Sequence, residues 1–194
     1  MEENGLKNPQ RPLFVMISRL ARQKGIEALY GENGAVERLL TQFDLNLAVI
    51  GTGDPETEQK IKDLSERYEN FSGTVAFSSR LSHLAEAAGD FFLMPSLYEP
   101  CGLNQLYSLR YGTIPLVTAT GGLADTVCTD TDLSVRTGIR IPGNSADDIV
   151  AAVADALRLY ADGPAAVDAV RRNGMSRDFS WRASCIEYLN FYNS

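Results

Sequence analysis

Short apolar runs rich in branched residues alternate along the chain with stretches of helical period. The first run, Leu13 to Ile17 (LFVMI), predicts a strand, and a weak helix interrupted by Gly31 and Gly34 follows it. Leu47 to Ile50 predicts a second strand. Behind it, Asp54 and Pro55 suit the cap and first turn of a helix that places Ile61, Leu64 and Tyr68 on one face. Val75 to Phe77 reads as a short strand, Leu81 to Ala88 as a short helix, and Phe91 to Met94 as a strand buried on both faces. Asn104 to Tyr111 predicts a helix stopped by Gly112, and Ile114 to Val117 the next strand.

From Ser145 the pattern is helical only. Ser145 with Asp148 resembles a capping box, and Ile149, Val150, Val153, Leu157 and Tyr160 keep one face until Gly163 and Pro164. Two more helices are predicted, Ala165 to Asn173 and Trp181 to Asn193. Strands alternating with helices imply an α/β fold, a Rossmann-like doubly wound parallel sheet with C-terminal helices. In such sheets ligands bind beyond the C-terminal ends of the strands, so the loops there are the candidates for chemistry.

Composition narrows the choice. The 194 residues suit one domain, with 1–12 as a lead-in and 13–194 as the folded unit. A net charge of -7 argues against nucleic acid or an anionic membrane as partner, so any anion must be met locally. Three cysteines without CxxC spacing and a single histidine give no disulfide framework and no metal site. Cys128 and Cys185 read as small core residues, and His83 as a packed histidine. No run reaches the roughly 20 apolar residues of a membrane span, and the start is polar. A soluble, reducing compartment such as the cytoplasm fits.

Four loops carry candidate chemistry. In SRLARQKG, Arg19 and Lys24 follow a strand and precede a helix, where two cations and helix N–H groups can meet a phosphate, although solvated surface cations would look the same. GTGD (residues 51–54) begins like a dinucleotide fingerprint, but Glu56 stands where the third glycine belongs and Pro55 interrupts the loop, which disfavours a nicotinamide cofactor. TGGL (residues 120–123) lets backbone approach a ligand closely, or is an ordinary turn. In YEPCGL (residues 98–103), Pro100 holds Glu99 extended while Gly102 turns the backbone into the next helix. A carboxylate beside helix N–H groups suits a sugar attached to a phosphate.

Taken in order and spacing, SRLARQKG, GTGD, SHLAEAAGD, MPSLYEPCGLNQLYSLRYGTIPLV and TGGLADTV resemble the C-terminal, nucleotide-binding half of bacterial glycogen synthases and plant starch synthases, from about Glu2 to Tyr188. The resemblance implies one half of a glycosyltransferase B-type fold, with residues 1–12 as an inter-domain linker. It implies transfer of glucose from ADP-glucose or UDP-glucose to the 4-hydroxyl at the non-reducing end of an α-1,4-glucan, with retention, without metal or other cofactor. It also implies that the glucan acceptor is bound through an N-terminal domain absent from this chain, so that the chain alone is inactive. A stand-alone nucleotide-sugar-binding module is the alternative.

Carried over by position, the resemblance gives Arg19 and Lys24 the diphosphate, and Glu99, Cys101 and Gly102 the glucose hydroxyls. Leu103 and Asn104 add helix N-terminal donors, Thr120, Gly121 and Gly122 form the glycine-rich loop beside the donor, and Phe77 stacks on the base. Tyr107 stands where many related retaining transferases carry a second glutamate, as in the glycogen synthase branch.

Overall fold

The computed structural model describes residue 6 and residues 8–193. Six strands, β1 (Leu13–Ile17), β2 (Asn46–Ile50), β3 (Phe71–Thr74), β4 (Phe91–Met94), β5 (Ile114–Thr118) and β6 (Ile139–Ile141), form one sheet in the order β3-β2-β1-β4-β5-β6. Every neighbouring pair is parallel. The order reverses between β1 and β4, which creates the switch point at which such sheets hold ligands.

Helices cover both faces, which is why the inner strands read as unbroken apolar runs. Phe14, Met16, Phe91 and Leu93 point to one face, packed by α1 (Ile26–Tyr30), α2 (Ala35–Gln42), α3 (Pro55–Arg67), α7 (Ala146–Ala161) and α8 (Pro164–Met175). Leu13, Val15, Phe92 and Met94 point to the other, covered by α4 (Ser79–Ala88), α5 (Asn104–Tyr111) and α6 (Gly121–Thr126). The sequence-read caps hold: Asp54 accepts from Thr57 N at 2.8 Å, Ser145 and Asp148 form a capping box, and Gly112 ends α5 at φ 80°.

Three elements differ from the reading above. The strand expected at Val75 to Phe77 lies at Phe71–Thr74, leaving Phe77 93% exposed in the following loop. Strand β6 was not predicted: its Ile-Arg-Ile alternation, with Arg140 exposed between buried Ile139 and Ile141, is only three residues long. Both are edge strands, with one neighbour each, so neither needs a continuous apolar run. The TGGL segment is neither loop nor open turn, since α6 begins at Gly121. Cys185 is exposed and Cys128 only partly buried, so neither is the core residue expected. The last helix, α9 (Trp181–Tyr192), belongs to neither core cluster and leaves Trp181, Phe191 and Tyr192 largely exposed.

Candidate functional site

Past the end of β1 the backbone continues beside β2, with Leu20 N donating to Thr52 O and Asp54 N to Leu20 O, both at 2.8 Å. It then makes a 3₁₀ turn at Arg22–Lys24 that ends at Gly25 with φ 77°. A side chain at Gly25 would place its Cβ 2.3 Å from Pro95 O, so only glycine lets this turn lie against the end of β4. Two bonds tie the turn to the loop after β4: Leu97 N donates to Gln23 O at 2.9 Å, and Gln23 Nε2 donates to Tyr98 O at 2.8 Å. This docking brings the ammonium of Lys24 onto the carboxylate of Glu99, 75 residues away. Their side chains are 17% and 9% exposed, so the pair is largely desolvated.

The backbone around Glu99 is fixed from the opposite side by α6. Gly122 N donates to Glu99 O at 3.0 Å. A Cβ on Gly121 would lie 2.1 Å from Glu99 O, and one on Gly122 would lie 2.0 Å from Cys101 O. The two glycines therefore let α6 pack directly on the 99–101 backbone. Gln105 adds bonds from Nε2 to Cys101 O and Gly102 O at 2.9 and 3.1 Å. Asn104 Nδ2 donates to Ile17 O at 2.7 Å, locking the first turn of α5 against the end of β1. The first N–H groups of that helix have no intrahelical acceptor and face the site with the positive end of the helix dipole.

Arg19, Lys24, Glu99, Gly102, Leu103 and Asn104 line one cavity of about 210 Å³. Arg19, Leu103 and Asn104 also border a second cavity of about 450 Å³, which holds Phe77. The structure thus brings together most of the residues picked from the sequence. Cys101, Thr120, Gly121 and Gly122 line neither cavity; the glycines act on the loop that carries Glu99.

Sequence reasoning missed several residues here. Ser18 borders both cavities, with its Oγ buried and without a hydrogen-bond partner among the described residues. His83 packs against Tyr107 and Tyr111 as a packed histidine would, but its side chain is 50% exposed on the wall of the larger cavity, beside buried Glu86. A lone histidine at a helical position gives no sequence signal of such a setting. Burial pushes the Glu86 carboxyl up, and His83 pulls it partly back.

A further cavity of about 420 Å³ lies among α1, α2 and α3, away from these loops. Its cations Lys60 and Arg67 are already paired with Glu56 and Glu37, at 2.8 and 2.7 Å. Among the described residues no cluster of three or more His, Cys, Asp or Glu is placed to hold a metal ion. No helix there is long and apolar enough to cross a membrane.

A doubly wound sheet with an ion-paired lysine and an exposed arginine beside a helix N-terminus at its switch point is an architecture for phosphorylated ligands. The family comparison agrees: residues 1–172 match the glycosyl transferases group 1 family, and the chain belongs to it. Glycogen synthases are among its relatives, that of Myxococcus xanthus at 45% identity over 95% of this chain and 37% of the relative, and that of Koribacter versatilis at 42% over 99% and 39%. The catalytic domain of starch synthase IV from Arabidopsis thaliana, solved with ADP and acarbose, superposes with a TM-score of 0.86 at 28% identity, covering 99% of this chain and 40% of that one. The chain spans about two fifths of the length of the glycogen synthases it matches.

Proposed function

We propose that this chain is the donor-binding half of a glycogen or starch synthase type of glucosyltransferase, binding ADP-glucose. The Lys24–Glu99 pair carries the reading, because it sets a cation for phosphate and a carboxylate for sugar hydroxyls side by side in one cavity. Arg19, Lys24 and the N–H groups at Leu103 and Asn104 take the diphosphate. Glu99, with the backbone N–H groups of Cys101 and Gly102, takes the glucose hydroxyls. Thr120, Gly121 and Gly122 hold that loop beside the donor, and Phe77 offers a bare aromatic face to the base.

On leaving, the ADP phosphate gains negative charge, which the fixed cations and helix N–H groups stabilise without reorganisation. Removal of one such preorganised donor typically lowers rates by about 10² to 10³. Transfer proceeds with retention at the anomeric carbon and needs no metal, since Arg19 and Lys24 meet the phosphate charge. The acceptor is an α-1,4-glucan bound by a second domain. Uncovered aromatic side chains on α9 suit contact with such a domain. The bacterial relatives favour the cytoplasm over a plastid.

Labelled ADP-glucose and glycogen supply the test. The 194-residue chain should bind ADP weakly and incorporate no label, whereas a longer protein carrying this chain and a second domain should elongate the glucan. Robust incorporation by the 194 residues alone overturns the half-enzyme reading. Binding without transfer in the longer protein points instead to a nucleotide-sugar-binding module.

A further inference from the structure

The larger cavity holds a second charged arrangement that the donor reading does not use. Glu86 lies on α4 with 2% of its surface exposed, and Thr113 Oγ1 fixes its backbone by donating to Glu86 O. Its carboxylate oxygen Oε2 is buried without a hydrogen-bond partner among the described residues. His83 Nδ1 lies 3.3 Å from it, within reach of the carboxylate but outside hydrogen-bond geometry. A buried carboxylate oxygen left without a donor is costly, so a small rotation of the half-exposed imidazole toward it is favourable. Such a contact puts the proton on Nδ1, because the bond made by one ring nitrogen decides the state of the other. The other ring nitrogen, Nε2, is then a bare acceptor. Tyr107 flanks the ring edge-on, with centroids 5.5 Å apart, and Phe77 lines the same cavity.

We infer that Glu86 is a positioning residue that holds His83 as the Nδ1–H tautomer, so that Nε2 accepts a hydrogen bond from the exocyclic amino group of a purine stacked on Phe77. This rests on the donor reading above, which places the base in this cavity. The chemistry is selective because adenine presents an amino donor at its 6-position, whereas a 6-oxo purine presents an acceptor there and would face Nε2 lone pair to lone pair. Base choice is thus set by a carboxylate that does not touch the base.

His83 is the only histidine in the chain, so its ring nitrogens can be followed by nitrogen NMR without assignment ambiguity. In the unmodified 194-residue chain at neutral pH, the spectra should show a protonated Nδ1 and a bare Nε2, and ADP should shift the Nε2 resonance. Titrations should favour ADP over inosine diphosphate, which differs from it at the 6-amino position and N1 and keeps the phosphates and stacking face, by about five- to tenfold. Glu86→Leu should shift the proton toward Nε2 and bring the two affinities within about twofold. Glu86→Gln, whose amide oxygen still accepts, should keep most of the preference and controls for folding.

A protonated Nε2 in the unmodified chain, or an unchanged preference in folded Glu86→Leu, overturns the inference and leaves the donor reading standing. If neither ADP nor pyrophosphate moves the amide signals of Gly102 to Asn104, the donor reading fails and this inference with it.

Discussion

Replacing Glu99 by glutamine removes a charge and keeps the side-chain length, and the structure says what is left behind. Lys24 is only 17% exposed and loses the carboxylate it is paired with. Breaking a fully buried pair from one side costs about 3 to 5 kcal/mol. Here the ammonium borders a cavity of about 210 Å³, room for several waters, so partial rehydration reduces the loss. We therefore expect Glu99→Gln to lower stability by about 1 to 2 kcal/mol, close to the value of one charge-assisted hydrogen bond, measured by urea unfolding. In the unmodified chain a phosphate must compete with Glu99 for Lys24. In the variant it need not, so ADP should bind at least as tightly, and its stabilising effect should be as large or larger at equal concentration. Glucosyl transfer by a longer, two-domain protein should nevertheless fall at least about tenfold, or about 1.4 kcal/mol, because the sugar hydroxyls lose a charged acceptor. Calorimetry with ADP and a radiolabel transfer assay give the comparison. Unchanged stability together with weakened ADP would refute the reasoning, since neither a buried pair nor a competition for Lys24 would then exist.

Arg19 is exposed and, among the described residues, its side chain bonds Gln23 alone, at 3.4 Å, so Arg19→Ala should leave stability within about 0.5 kcal/mol while weakening both ADP and pyrophosphate about tenfold or more in calorimetric titrations. Phe77→Ala should weaken ADP by about 1 to 3 kcal/mol but leave pyrophosphate binding unchanged, and equal losses would show that the ring does not stack on a base. Gly122→Ala should destabilise by about 1 to 3 kcal/mol in denaturant melts, although glycine to alanine within a helix ordinarily stabilises, because the new Cβ meets Cys101 O at 2.0 Å. Asp54 is held below its usual 3.8 by the side-chain and backbone bonds from Thr57, and Asp148 likewise by those from Ser145. Their contribution is complete above about pH 4 and is lost as pH falls below it through the lower folded values, so thermal melts of Asp54→Asn should lose less stability between neutral and strongly acidic pH than those of the parent chain.

What the sequence determined by itself was the part governed by local chemistry and by full burial. Strands β1, β2, β4 and β5 are covered on both faces, so each must be an apolar run and each was visible as one. The caps at Asp54 and Ser145 depend on residues three apart, and Gly112 on its own backbone angle. The order of Arg19, Lys24, Glu99 and the glycine pair was legible through motif spacing as well. Only the tertiary structure decided the rest. Edge strands β3 and β6 are short and pair with a single neighbour, so neither presents a continuous apolar run. The Lys24–Glu99 pair joins residues 75 apart, because β1 and β4 are adjacent in the sheet although not in sequence. Gly121 and Gly122 proved to be sites of close backbone packing, a fact set by the 99–101 loop they touch. His83 became a wall of the larger cavity because α4 and α5 lie side by side, which no local pattern around a single histidine can announce.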